Sequence, residues 1–219
     1  MKNRGKFGHN DKAVQSFELY RVEEMPSDQH SRRHHIWLEL AALLAALAVV
    51  TGGLRIGYYH YMRSAYPIKY SEYVTAYAKQ YGFEPSLIYA LIRTESQFDP
   101  DAVSSAKAIG LMQLTKDTFE WAQKRSDVKD QIPVNELFKP EVNIHYGVLV
   151  LSLLREEFSD TRTMLAAYNA GIGNARRWLK NSEYSDDGAT LKSIPYEETR
   201  NYVKNIPHIQ SIYKKLYGC

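Results

Sequence analysis

Residues 87–114, LIYALIRTESQFDPDAVSSAKAIGLMQL, decide how the rest of the chain is read. The first part is helical. Pro85 and Ser86 suit a helix start, and Leu87, Ile88, Leu91 and Ile92 recur at the spacing of one buried face. One further turn along that face lies Glu95. A carboxylate at a position that the pattern reserves for the core is costly unless paired, hydrogen-bonded or protonated. The plainer alternative is a fraying helix end that points Glu95 into water. After it, Gln97 to Pro100 breaks the helix, and a small-residue segment, Ala102 to Gly110, carries Ser104 and Ser105. Gly110-Leu111-Met112-Gln113-Leu114 then embeds one amide in an apolar strip, beside a glycine that allows close backbone approach. A helix-end glutamate, a serine-bearing loop and this strip make a wall for a polar, uncharged ligand such as a sugar.

Outward from this stretch, 219 residues with 44% hydrophobic content suffice for one well-cored domain and an appendage. A net charge of +3 is too small to argue for nucleic acid, and no base-reading or phosphate-cradling motif occurs. His30, His34 and His35 fall in a polar segment, and His60, His145 and His208 lack a second ligand at useful spacing, so no metal site is expected. No cofactor-binding motif is found. The single cysteine, Cys219, rules out an internal disulfide framework.

Met1 to His35 is charged, poor in large apolar residues and without period, and reads as a disordered tail. Ile36 to Gly53 is rich in Leu, Ala and Val with Glu39 as its one charge, which is close to the minimum length for a membrane span. A soluble core helix would show a polar face, and Leu40 to Val50 has none. A cleaved signal fits less well, because the polar segment before it is long and no clear cleavage site follows. The segment 36–57 is therefore expected to be an uncleaved anchor helix. Arg32 and Arg33 before it and Arg55, Arg63 and Lys69 after it leave the orientation open on charge alone. Tyr58, Tyr59 and Tyr61 suit either an interfacial belt or packing on the following domain.

From about residue 66 to 217 the pattern stays helical. Helices are expected from Ser71, as cap, to Tyr81 with Gly82 as stop; over Thr115 to Lys124; and from Pro140 to Phe158, with Val142, Leu149, Leu153 and Leu154 inward. Asp160 caps a helix over Thr161 to Tyr168 that ends at Gly171 and Gly173, and Asn174 to Lys180 forms another. Asp127 to Lys139 is a surface excursion and Asn181 to Ser193 a polar loop. Tyr196 to Tyr217 closes the domain, kinked or split by Pro207. The residues thus indicate a compact all-α domain.

Glu95-Ser96, Ser104, Gly110-Leu-Met-Gln-Leu, Ala167-Tyr-Asn-Ala-Gly and Ile194-Pro-Tyr-Glu-Glu-Thr-Arg-Asn-Tyr-Val resemble, in order, the motifs of the soluble-type lytic transglycosylases. These lysozyme-like enzymes cleave the glycan of bacterial peptidoglycan. The resemblance covers roughly the last two thirds of the chain and implies a lysozyme-like fold, preceded here by a single transmembrane helix. It also implies peptidoglycan glycan strands as substrate and a catalytic domain on the outer face of the cytoplasmic membrane.

Glycosidic cleavage needs a proton for the leaving oxygen, and a desolvated carboxylic acid retains one near neutral pH. Glu95 has that setting. Most glycosidases use a second carboxylate. In the motif region the candidates are Asp99 and Asp101, whose Pro-flanked loop reads as a solvated turn. The resemblance implies a one-carboxylate route. The N-acetyl group of N-acetylmuramic acid assists departure, and the same glutamate then activates the sugar's own 6-hydroxyl, leaving a 1,6-anhydro end. It assigns Glu95 as acid and then base, Ser104 as a bond to the reacting sugar, and Met112 and Gln113 as cleft lining. Tyr168 and Asn169 would face the glycan, although a core aromatic and a helix terminator are equally consistent with the sequence. Tyr196 would sit beside Glu95 and orient it, or simply pack. Glu198 and Arg200 read as a structural ion pair or cap. The chain departs from the usual pattern at Lys107, where glycine is common, at Lys116, where proline often follows, and at Val150, where tyrosine is frequent. Two alternatives stay open: a hydrolytic muramidase on the same fold, and an inactive glycan-binding wall protein.

Overall fold

The computed structural model describes residues 27–126 and 131–219. The expected tail over residues 1–26, and the part of the surface excursion at residues 127–130, lie outside the described residues. By its contacts the chain forms two units, Met1–Tyr59 and His60–Cys219.

The first helix, α1, is Ser27–Ala65. It starts before Ile36 and runs past Gly57, so the polar residues from Ser27 to His35 are helical and do not belong to an irregular tail. Once a long apolar helix exists, each added residue gains a hydrogen bond without a new nucleation cost, so both ends extend into flanking polar sequence. It is the one helix among the described residues that is long and apolar enough to cross a membrane, and none of its most apolar window is buried. Leu43, Leu44 and Val49 are 66%, 66% and 75% exposed, and Tyr58 and Tyr61 are exposed as well.

The domain is all-helical. Among its described residues the only β contacts are isolated antiparallel bridges, Val103–Ile109 and Ile109–Leu114, inside the motif loop. Helix α2, Ser71–Tyr81, ends at a left-handed Gly82 as the sequence indicates. Ser71 is not its cap; Tyr70 holds that position in a left-handed conformation without a side-chain bond. Helix α3 is Pro85–Ser96 and α4 is Lys116–Gln123, the latter capped by Thr115 Oγ1, which accepts from Thr118 N. A 3-10 turn at Val134–Phe138 puts Leu137 into the core, which the surface reading of that segment did not foresee.

Helix α5, Pro140–Glu157, runs through the centre and packs on α2, on α4 and on the helix after it. Its buried residues include Asn143, Ile144, Tyr146, Gly147, Val148, Val150 and Leu151 on several faces, whereas Val142 and Leu153 are only partly buried. Leu149 and Leu154 are buried as the sequence indicates, but a helix enclosed on more than one side has no single apolar stripe, so a one-face reading misses the residues on its other faces. Helix α6, Thr161–Ala170, is capped by Asp160, whose carboxylate accepts from Arg162 N at 3.3 Å and Thr163 N at 2.8 Å. Gly171, at φ +88°, separates it from α7, Ile172–Leu179.

Helix α8, Glu197–Tyr217, packs on α3 and α6. Pro207 does not split it. Tyr202, Val203 and Ile206 before the proline and Tyr213 after it are buried, so packing on both sides outweighs one missing backbone bond. The tyrosines of its last turns hold the start of the domain: Tyr213 Oη donates to Pro67 O at 3.2 Å and Tyr217 Oη to Tyr66 O at 2.7 Å.

Candidate active site

The C-terminal turn of α3, the motif loop, α4, α5, the end of α6 and the first turn of α8 enclose a cleft of about 500 Å³. Its wall includes Glu95, Ser104, Gln113, Tyr168, Asn169 and Glu198. Glu95 is part-buried at the end of α3, beyond the fully buried Ile88, Leu91 and Ile92. Burial pushes its carboxyl up to about 7; a hydrogen bond from Tyr202 pulls the other way, and the charge of Glu198 pushes it further up. Tyr202 Oη donates to Glu95 Oε1 at 2.6 Å. An acid so placed keeps a large protonated fraction at neutral pH and has a fixed donor to stabilise its charge when the proton leaves.

The loop below the cleft is held by a side chain that motif reading passed over. Asn143 on α5 is fully buried: its Oδ1 accepts from Met112 N at 2.7 Å, and its Nδ2 donates to Ile109 O at 2.9 Å and Leu137 O at 2.8 Å. Gly110 fits against it for two reasons. Its φ is +75°, and a Cβ there would lie 2.3 Å from Asn143 Nδ2 and 2.6 Å from Leu137 O. Ser96 Oγ, 2.9 Å from Leu111 O, joins the same loop to the end of α3.

Four polar side chains of the cleft are partly committed, and what remains of them describes a ligand. Ser104 Oγ accepts from Ala108 N at 3.0 Å, which keeps its own O–H as a donor. Gln113 Nε2 donates to Ala102 O at 3.1 Å and Gly110 O at 2.9 Å, leaving its carbonyl oxygen as an acceptor. Asn169 Oδ1 accepts from Thr199 Oγ1 at 2.7 Å, so its amide hydrogens remain. Tyr168 Oη donates to Met112 O at 2.9 Å and its ring forms wall. These neutral donors and an acceptor beside Glu95 suit hydroxyl and acetamido groups. Beyond Tyr168 and Val150 the cleft adjoins an apolar cavity of about 260 Å³ lined by Trp121, Leu154 and Ile172, with Val150 on the wall of both.

Three expectations are placed differently. The hydroxyl on Glu95 comes from Tyr202, not Tyr196, which is 50% exposed with its ring edge-on to Trp178 at 5.1 Å. Tyr196 precedes α8, whereas Tyr202 is on the face that α8 turns to α3, where burial of an aromatic is favoured. Met112 has no side-chain exposure: its sulfur occupies the space above Gly147, and only its carbonyl serves Tyr168. Glu198 forms no ion pair among the described residues; Arg200 instead donates Nη1 to Ile194 O and Pro195 O, both at 2.8 Å. The paired signal for Tyr202 and Glu198 was their four-residue spacing on one helix face, which a motif read as a string does not display. Asp99 Oδ1 accepts from Asp101 N at 3.0 Å in an exposed turn, and neither carboxylate reaches the cleft wall.

A part-buried helix-end glutamate on the wall of a cleft in an all-helical domain marks this as the candidate active site. The model of the Transglycosylase SLT domain matches residues 72–190, and the chain belongs to that family. It is 33% identical over 177 residues to a soluble lytic murein transglycosylase of Salmonella typhimurium, across 80% of this chain and 27% of that protein. It is 33% identical over 168 residues to membrane-bound lytic murein transglycosylase C of Actinobacillus pleuropneumoniae, across 66% of this chain and 46% of that protein. Among solved structures, the 70 kDa soluble lytic transglycosylase of Escherichia coli superposes with a TM-score of 0.64 at 33% identity, covering 72% of this chain and 26% of that one. An inactive mutant of the lytic transglycosylase Slt from Pseudomonas aeruginosa gives 0.60 at 34% identity, covering 68% and 24%. The chain thus spans between a quarter and a half of the length of these relatives.

Proposed function

We propose that the protein is a membrane-anchored peptidoglycan lytic transglycosylase that cleaves the β-1,4 bond between N-acetylmuramic acid and N-acetylglucosamine. The observation that carries this reading is Glu95, part-buried in the cleft, pushed up to about 7 by burial and bonded by Tyr202. Glu95 protonates the glycosidic oxygen as the bond breaks. The substrate's acetamido oxygen covers the anomeric carbon from the other side. Glu95, now ionised and held by Tyr202, takes the proton of the 6-hydroxyl, which closes onto the anomeric carbon and leaves a 1,6-anhydro end. Ser104, Gln113, Tyr168 and Asn169 hold the sugar, with Tyr196 further out along the glycan. Met112 supports Tyr168 through its carbonyl oxygen. The exposed apolar surface of α1 and the name of the membrane-bound relative support an anchor in the cytoplasmic membrane, with the domain outside.

Mass spectrometry of muropeptides released from purified cell walls tests this. The expected products carry 1,6-anhydro ends and no oxygen from labelled water, and Glu95→Gln abolishes them. Reducing ends labelled by water would establish a muramidase instead, and intact glycan would leave a binding protein.

A further inference from the structure

We propose that Glu198 is a positioning residue for this reaction: a carboxylate on the cleft wall that favours the protonated, donating form of Glu95. The inference rests on Glu95 being the acid, as read above.

The geometry carries it. Glu198 lines the same cleft as Glu95. It stands four residues before Tyr202 on α8, and residues four apart on a helix are neighbours on one face. Since Tyr202 bonds Glu95 directly, the row that Glu198 extends is directed at the acid. No cation neutralises Glu198 among the described residues; Arg200, the nearest in sequence, is turned to the carbonyls of Ile194 and Pro195.

The two carboxyls differ in their surroundings. Glu198 is exposed and stands in the first turn of α8. Glu95 is part-buried, where charge is disfavoured before any neighbour acts. Two carboxyls facing one space disfavour a second charge, and burial makes Glu95 the member that keeps its proton more readily. Of the other groups around Glu95, α6 contributes the neutral Tyr168, and the loop, α4 and α5 contribute uncharged side chains to the cleft. Tyr202 opposes Glu198, because its bond favours the charged form of Glu95. Burial comes first in setting the protonation of the acid, and two residues one turn apart on α8 then adjust it in opposite directions. No second nucleophile is implied: Glu198 acts on Glu95, and the sugar reacts with its own hydroxyl.

The test uses the full-length protein in detergent micelles, with the side-chain carboxyl carbons followed by NMR across pH and kcat/KM measured on purified peptidoglycan. In Glu198→Gln the titration midpoint of Glu95 is expected to fall by about half a unit. The ratio of variant to wild-type kcat/KM should then drop by roughly threefold more at pH 8 than at pH 5. Glu198→Asp should restore the wild-type midpoint in part, and Glu198→Lys should lower it further. An unmoved midpoint in well-folded Glu198→Gln and Glu198→Lys proteins overturns the proposal, as does an equal loss at every pH. A shifted midpoint in a protein that does not cleave glycan would uphold the coupling and count against the function proposed above.

Discussion

Tyr202 donates its hydroxyl to Glu95 Oε1 at 2.6 Å across 107 positions of sequence, which joins the end of α3 to the face of α8. Burial drives both hydroxyls of this pocket, Tyr202 and Tyr168, to titrate well above the ordinary tyrosine range, so they act as fixed donors. Removing the Tyr202 donor takes away a bond made to the charged form of the acid. Tyr202→Phe should lower kcat by about tenfold to a hundredfold, as expected for one charge-assisted hydrogen bond. The sign of its pH effect is fixed as well. Because the bond lowers the Glu95 pKa, its loss should move the basic limb of the pH–rate profile upward. Tyr196→Phe, lacking this contact, should leave the limb in place.

Glu95 itself should lower stability at alkaline pH. Its folded value of about 7 lies above the ordinary 4.5, so the protonated acid is tolerated and the charged one is not. Its contribution is favourable below about 4.5 and is lost as pH rises through about 7. Glu95→Gln should therefore be more stable than wild type at pH 8, by about 1–3 kcal/mol, with the gap closing toward pH 4.5. Urea denaturation at the two pH values measures it, and a gap independent of pH would contradict the assignment.

Gly147→Ala sets helix propensity against packing. Alanine is favoured over glycine in a helix by about 1 kcal/mol. A Cβ at position 147 would, however, lie 2.3 Å from Met112 Sδ and 2.8 Å from Met112 Cβ. Overpacking of that kind costs about 1–3 kcal/mol, and Met112 is joined to Asn143 and Tyr168. A net loss in stability with a larger fractional loss in activity is expected from thermal melting and turnover.

Lys107 is exposed and holds φ +61°, a left-handed conformation that glycine adopts without strain. Lys107→Gly should raise stability by up to about 1 kcal/mol, part of the relieved strain being offset by a more flexible unfolded chain. Lys107→Val, with a branched side chain in that region, should lower it.

The helical order of the domain was legible because each helix carries local punctuation: Pro85 and Pro140 at starts, Asp160 as cap, Gly82 and Gly171 at stops. Glu95 was legible because it continues an apolar face. What local pattern could not supply were relations across the chain. Tyr196 and Tyr202 are both aromatic and near the α8 start, and only the packing of α8 on α3 selects between them. Met112 reads as cleft lining until α5 brings Gly147 beneath it. Asn143 looks like an ordinary polar residue in the second turn of a helix, and its three bonds exist only once the loop is folded.

Those three bonds also bear on how the cleft opens and closes in time. The motif loop has little regular structure, yet its Met112 N–H is bonded to a side chain buried in the central helix. Amide exchange there requires Asn143 to leave the core, an event on the scale of unfolding α5 and not of loop fluctuation. The Met112 amide should therefore exchange as slowly as those of α5, while exposed Lys107 and Ser105 a few residues away exchange by local motion. The floor of the cleft would then persist as long as the fold does, with mobility confined to its serine-bearing rim.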